Sequence, residues 1–372
     1  MTRSALVVDA GGFTALEAVR ALAAAGWAVD LLHRPHSLAA RSRHVRRRVP
    51  MEADSRHVPA EVQQVLRAAP VDLLFATGDA DLLALSAGRS ALSVRVPWPA
   101  HEVVALAHDK RRLADAAAAA GLRVPREVPV DLAAAAGETA GWAVKPREHG
   151  AGVVSVSTVL VQGAFELGEA VDNLRQQGGE PVVQEALTGD LVAYVAVLDR
   201  DGSVLAELQQ VADQVYPVGA GNCVRGRTTP VDRSLADGAA RLLRSIGWTG
   251  LVQLEYVWPP GEEPALVDLN GRFYGSMALA RGAGLNLAEV EADRALGRPR
   301  AAGPARVGAR YSATALDVRA ALGTRRPRAV SRAVARAVGA THPVWEASDP
   351  RPLTAAAAAA ARAAGRRLRG SA

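Results

Sequence analysis

The first hundred residues alternate between short apolar runs and stretches with helical spacing, and this alternation constrains the fold more than any other feature of the sequence. "ALVVD" (Ala5–Asp9) is an apolar run ended by Gly11 and Gly12. "FTALEAVRALAAAG" has helical spacing and a glycine stop at Gly26, and "WAVDLL" is a second strand. "VDLLFA" (Val71–Ala76), the helix "DADLLALSAG" and a strand "LSVRV" continue the pattern. Strand–helix alternation predicts a parallel sheet with helices on both faces, an α/β class. The basic stretch "RSRHVRRRV" (Arg41–Val49) reads as a loop or helix edge between units.

A long helix is expected over "HEVVALAHDKRRLADAAAAAG", stopped by Gly121. An extended "LRVPRE" follows, then a strand carrying Lys145, a glycine turn and a returning strand "GVVSVSTV". A helix around Ala164–Gln177 leads to the strand "PVVQEAL" (Pro181–Leu187). "VAYVAVLD" and "SVLAELQQV" pair across Asp201-Gly202, a hairpin signal. "DRSLADGAARLLRSIG" is a helix, and "LVQLEYVW" and "PALVDLN" are strands joined by a Pro/Gly turn. The last seventy or so residues read as α-rich, and no internal repeat is seen.

Composition matters at three points. The chain has 372 residues, room for two or three domains. Net charge is +6, but from Ala301 onward thirteen arginines face three acids, so the rest is net acidic. A basic tail can touch nucleic acid or anionic lipid; the reading adopted is a solvated helical surface, with no nucleic-acid or membrane partner. Cys223 is the single cysteine, which forbids an intrachain disulfide. "MTRSALVVDAGG" reads as a strand and turn and not as a signal peptide, so a cytoplasmic location is expected.

Positive charge comes almost entirely from arginine; lysine stands only at Lys110 and Lys145. Lys145 precedes a turn containing Gly150 and Gly152, whose missing Cβ atoms let backbone amides approach an anion closely. An ammonium is a compact point charge that fits between phosphate oxygens. The alternative is an ordinary hairpin with a surface lysine. Further on, Glu255 sits in "VQLEYVW", and Asp268 and Asn270 in "VDLNGRF". If the two strands are adjacent, these oxygen donors converge as magnesium requires. Asp268 and Asn270, two apart, share a face, while Val252, Leu254, Val267 and Leu269 are read as pointing the other way. A half-buried strand with a solvated polar face would give the same alternation.

The order of "DK", "GLRVP", "VKPR…GAG", "VQEALTGD", "GLVQLEY" and "DLNGRFYGS…GAGLN" resembles the ATP-grasp superfamily, and within it the carboxylate–amine ligases related to carbamoyl-phosphate synthetase and biotin carboxylase. The likeness runs from about Val71 to Val290. It implies an N-terminal α/β domain (1–105), an ATP-grasp domain (106–295) with a flap lobe at about 121–182 and a catalytic lobe at about 183–295, and a basic α-rich region (296–372). It also implies roles for single residues. Lys110 and Lys145 would contact ATP phosphates under a flap at Gly150 and Gly152. Gln184 to Leu187 would be the hinge strand, with the backbone of Glu185 and Leu187 holding adenine, and Asp190 would accept from ribose. Glu255, Asp268 and Asn270 would hold magnesium, two ions, with Mn2+ able to substitute. Arg272 would reach the γ-phosphate and the reacting carboxylate, and Ser276, Gly219 and Gly221 would help to bind the acceptor. Two departures stand out: Asp268 where the family usually has glutamate, and Gly271 where it often has proline.

The implied reaction joins a small-molecule carboxylate, such as an amino acid or small peptide, to an amine through an acyl phosphate. A homodimer is the assembly such ligases often form. Three other readings are a non-catalytic ATP-binding sensor or scaffold, a carboxylate kinase without an amine acceptor, and a dinucleotide-binding oxidoreductase. The last would rest on the Gly11-Gly12 turn and Asp30, but "DAGGFT" lacks the G-x-G-x-x-G spacing.

Overall fold

A computed structural model describes residues 3–51, 57–137, 141–148, 158–324, 326 and 328–369, with side chains described through 361. Strand β1 (Ser4–Asp9) is followed by α1 (Thr14–Ala24), β2 (Ala28–His33), β3 (Val45–Pro50), α2 (Val58–Ala68), β4 (Leu73–Ala76) and α3 (Asp79–Ala87). The strands form one parallel sheet in the order β3–β2–β1–β4. Every residue of β1 and β4 is buried, as in strands covered on both faces.

Two local expectations for this unit are corrected. The basic stretch within Arg41–Val49 is a loop only at its start, because Val45–Pro50 is the edge strand β3. Its Arg46 and Arg47 pair with the fully buried Asp30 at 2.8 and 3.0 Å, so cross-strand charge holds the basic strand in register. "LSVRV" contributes only a single parallel bridge, Leu73 to Arg95. Pro97 follows at once and has no N–H to continue a ladder.

The long helix expected over 101–121 is two helices, α4 (His101–His108) and α5 (Lys110–Ala119). Asp109 between them is extended, at φ −87° and ψ 111°, and its carboxylate accepts from the N–H groups of Arg111 and Arg112 at 3.0 and 3.1 Å. An aspartate that caps offers the backbone an alternative to continued helix, and the chain restarts there.

Helix α6 (Val130–Ala135), β5 (Gly141–Pro146), β6 (Val159–Gln162), α7 (Gly163–Gln176) and β7 (Pro181–Glu185) follow. They make a three-stranded antiparallel sheet, β6–β5–β7, whose Trp142, Val144 and Val183 pack on Leu167, Val171 and Leu174 of α7. The glycine turn with Gly150 and Gly152, and most of the expected returning strand, lie outside the described residues.

A six-stranded antiparallel sheet comes next. It is built from β8 (Asp190–Leu198), β9 (Val204–Tyr216), β10 (Asn222–Thr229), α8 (Arg233–Ser245), β11 (Gly250–Trp258), β12 (Ala265–Asn270), α9 (Ala278–Gly282), α10 (Leu287–Ala295) and β13 (Arg310–Ser312), with strand order β12–β11–β8–β9–β10–β13. On one face Leu235, Ala239 and Leu242 of α8 pack against Val192, Tyr194, Val252, Leu254 and Tyr256. On the other, Val195, Val197 and Leu251 share a core with Leu287 and Val290 of α10 and with Leu16 and Val19 of α1. One apolar core therefore joins the N-terminal unit to the six-stranded sheet. The rings of Phe75 and Phe273 stack across that junction at 5.3 Å.

Helices α11 (Thr314–Gly323), α12 (Ala329–Ala337) and α13 (Arg351–Arg369) complete the chain. The tail is helical as expected, except that β13 closes the edge of the large sheet. Before α13, the fully buried Asp349 accepts from Arg20 Nε at 3.0 Å, Ser42 Oγ at 2.8 Å and Arg43 N at 2.9 Å. This ties the tail back to the N-terminal unit. Among the described residues no helix is long and apolar enough to cross a membrane.

Candidate active site

A cavity of about 340 Å3 lies between the three-stranded sheet and the β12–β11–β8–β9 side of the large sheet. Each wall comes from a different element. Lys110 opens α5, Lys145 and Ala143 come from β5, Gln184 and Glu185 from β7, and Asp190 from β8. Glu255 and Val257 come from β11, and Val267 and Asp268 from β12. The β9–β10 turn with Gly219 and Gly221 closes one side, and Leu187 another.

Glu255 and Asp268 are direct cross-strand partners. Beyond them the register shifts: Tyr256 pairs with Leu266, and Val267 is the extra residue of a β-bulge. Val267 therefore lines the cavity beside Asp268, while Leu266 and Leu269 stay in the core under α8. This corrects the expected alternation, in which Val267 points away from the acids. The bulge also leaves the Val267 carbonyl to accept from Lys145 Nζ at 3.2 Å.

The electrostatics are those of a small, desolvated, mixed-charge site. Lys110, with its side chain only 3% exposed, makes an ion pair with Asp268. Lys145 is buried, and burial together with Lys110 lowers its pKa to about 8. Glu255 makes no hydrogen bond or ion pair among the described residues; burial and the nearby Asp268 raise its pKa to about 7. An acid so placed gains from a cation beside it. Among the described residues no three His, Cys, Asp or Glu side chains converge, so an ion here would have two carboxylates and would complete its shell with other oxygens. That is a donor set magnesium accepts, and the ammonium on Asp268 shows that a cation fits against it.

Neither a protein-family model nor a curated protein matches the sequence. Solved structures do match. The biotin carboxylase domain of Hydrogenobacter thermophilus 2-oxoglutarate carboxylase, a dimer solved with MgADP, ADP and bicarbonate, superposes with a TM-score of 0.66. It is 13% identical, over 83% of this chain and 74% of that one. The Campylobacter jejuni biotin carboxylase, complexed with a β,γ ATP ligand, gives 0.62 at 15% identity, over 80% and 71%. The biotin carboxylase domain of a single-chain bacterial carboxylase gives 0.60 at 16% identity, over 82% and 72%. The fold is the ATP-grasp fold.

Within the ATP-grasp fold not all the residues named from the sequence meet. Lys110, Lys145, Gln184, Glu185, Leu187, Asp190, Gly219, Gly221, Glu255 and Asp268 all line the cavity. Asn270 does not: it lies two residues beyond Asp268 and donates to its cross-strand partner Gln253 at 3.2 Å. Ser276 is buried away from the cavity and accepts from Gln210 at 2.7 Å. Gly221 is demanded by the turn itself, since a Cβ there would fall 2.1 Å from the backbone of Tyr216.

Arg272 is also outside the cavity wall, although its charge still acts on Glu255 and Asp268. It is bound to Asp79, the first residue of α3, through Nε at 2.9 Å and NH2 at 2.5 Å. His108 completes the group. Nδ1 lies 2.8 Å from the Val104 carbonyl, and Nε2 lies 3.4 Å from Asp79. Burial alone would raise the Asp79 pKa, but Arg272 and His108 hold it well below the ordinary carboxylate value. Neither Asp79 nor His108 is among the residues named from the sequence, and His108 is buried. A signal was present for Asp79, an acid directly after a strand–glycine boundary in the parallel sheet. Asp30, the acid a dinucleotide site would need, is fully buried and spent on Arg46 and Arg47.

Proposed function

We propose that this chain is an ATP- and magnesium-dependent ligase that activates a small-molecule carboxylate as an acyl phosphate and passes the acyl group to an amine, with amino acids or small peptides as substrates. The observation that carries this reading is the convergence on one cavity of two buried lysines and a cross-strand carboxylate pair. The ATP-grasp fold, shared with structures that hold ADP and magnesium, supports the nucleotide assignment.

We assign the roles by position. The ammonium groups of Lys110 and Lys145 offset charge on the phosphate tail, and catalysis is mostly alignment and charge neutralisation. Val257, Leu187 and the aliphatic part of the β7 edge give the base an apolar slot, and Asp190 at the cavity mouth accepts from ribose. Glu255 and Asp268 would hold the divalent ions, and Asn270, bonded to Gln253, stands outside that pair. Magnesium, when bound, neutralises the phosphate oxygens and polarises the γ-phosphorus. Arg272, whose guanidinium is held by Asp79 outside the cavity wall, is assigned to the reacting carboxylate and to the oxyanion that forms when the amine attacks. Gly219 and Gly221, on the turn that closes one side of the cavity, are assigned to the acceptor side.

In this reading 1–105 is the N-terminal domain, 106–295 the ATP-grasp domain and 296–372 the basic C-terminal region. The location is cytoplasmic, and the assembly to test is a homodimer, as in the Hydrogenobacter structure. The deciding experiment is a screen for ADP and phosphate release over panels of carboxylates, bicarbonate included, and amines, with mass detection of products. Release that needs both partners, with a new amide, supports the ligase. Release with a carboxylate alone gives the kinase. Nucleotide binding with no turnover on any pair gives the sensor.

A further inference from the structure

The two lysines engage β12 differently. Lys110 places its ammonium on the carboxylate of Asp268, whereas Lys145 places its own on the neighbouring Val267 carbonyl at 3.2 Å. Asp268 is also the acid that faces Glu255 across the ladder. An ammonium and a divalent ion cannot both sit on that carboxylate oxygen at contact distance, because like charges repel strongly in a desolvated site. Lys110 cannot simply withdraw into water, since its side chain is 3% exposed and α5 begins at its own backbone. A buried ammonium that leaves one anion needs another. The cavity beside it is where the phosphate tail is assigned.

We infer that Lys110 is the built-in counter-ion of Asp268, and that phosphate oxygens and a divalent ion bind by exchange: the phosphates take Lys110, and the freed carboxylate takes the ion. This rests on the proposed nucleotide site and adds a coupling to it. Anion and cation binding then favour each other through one side chain, and the coupling is reciprocal. Asp109 and Arg147 make the exchange local. Asp109 caps α5 and Arg147 O accepts the Lys110 N–H at 2.8 Å, so the backbone stays fixed while the side chain moves.

The test uses the full chain with Mn2+ as the metal probe, read by the electron paramagnetic resonance of free Mn2+ without nucleotide. Lys110→Met is expected to tighten Mn2+ binding by about tenfold or more. Lys145→Met removes the same charge from the same cavity but frees no carboxylate, and is expected to change it by less than about threefold. Lys110→Gln, which keeps a polar group against Asp268, is the second variant should the methionine change disturb folding, and is expected to fall between. Affinity for a non-hydrolysable ATP analogue without metal is measured alongside, and is expected to drop in Lys110→Met. If Mn2+ binds the Lys110 variants no more tightly than wild type, or binds Lys145→Met as tightly as Lys110→Met, the exchange is overturned, while wild-type binding of the analogue leaves the nucleotide site standing. If wild type binds no analogue with or without metal, the nucleotide reading itself falls.

Discussion

Asp79 and Arg272 stand 193 positions apart and meet in a two-pronged ion pair that joins the start of α3 to the turn after β12. The pair spends the Nε edge of the guanidinium on Asp79 and one NH1 proton on the Phe273 carbonyl at 3.0 Å. The N-terminal sheet thereby fixes how the arginine faces the acids at Glu255 and Asp268.

Removing one partner leaves the other uncompensated in a desolvated place. Asp79→Ala is expected to lower the unfolding free energy by about 2–3 kcal/mol, measured in urea, with Asp79→Asn costing less. Unchanged stability in both variants would mean that the pair has no structural weight.

Glu255 makes no ion pair among the described residues, and the site reading makes it a metal ligand. Glu255→Gln is expected to raise the magnesium concentration needed for half-maximal nucleotide turnover roughly tenfold. A magnesium titration indistinguishable from wild type would remove Glu255 from the ligand set.

Lys145 supplies a pH dependence whose sign is fixed. Burial and Lys110 lower its pKa from the ordinary lysine value to about 8, so the ammonium is lost as pH rises through that value. Phosphates bind the charged form, so nucleotide affinity should be level below about pH 7.5 and fall by up to about tenfold per pH unit above 8. Affinity that stays constant to pH 10, measured by calorimetry, would show that Lys145 is not the phosphate contact.

Asp109 places Lys110. Asp109→Ala removes the cap of α5 and the Arg147 contact at 2.9 Å, and should cost about 1 kcal/mol of stability together with a loss of nucleotide affinity. Asp109→Ser, which keeps a capping oxygen, should retain most of the stability. Equal loss in both would point to the Arg147 pair instead of the cap.

Where the sequence was informative, the reason was periodicity or a strong local signal. The buried runs of β1 and β4, the Asp201-Gly202 hairpin and the strands of Glu255 and Asp268 are all visible as pattern. The Glu255–Asp268 contact followed from two adjacent strands and needed no knowledge of the rest of the fold. What stayed hidden depended on tertiary partners. The basic run in β3 is a strand because Asp30 on β2 neutralises it. Asp109 breaks a helix that spacing alone would continue. The bulge at Val267 is a register feature with no sequence mark. The strand–glycine boundary marks Asp79 in the sequence, but its pairing with Arg272 depends on α3 meeting the turn after β12. The resemblance groups Arg272, Asn270 and Ser276 with the cavity, but their side chains bond instead to Asp79, Gln253 and Gln210.

The central claim is that a nucleotide's phosphate tail lies between Lys110 and Lys145 on one side and divalent ions on Glu255 and Asp268 on the other. Calorimetric titration of a non-hydrolysable ATP analogue into the full chain, with and without magnesium, tests it most directly when wild type is compared with Lys145→Ala. The account predicts magnesium-enhanced binding by wild type and at least about tenfold weaker binding by the variant. Wild-type protein that ignores the analogue at millimolar concentration, or a variant that binds it as well as wild type, would contradict the account.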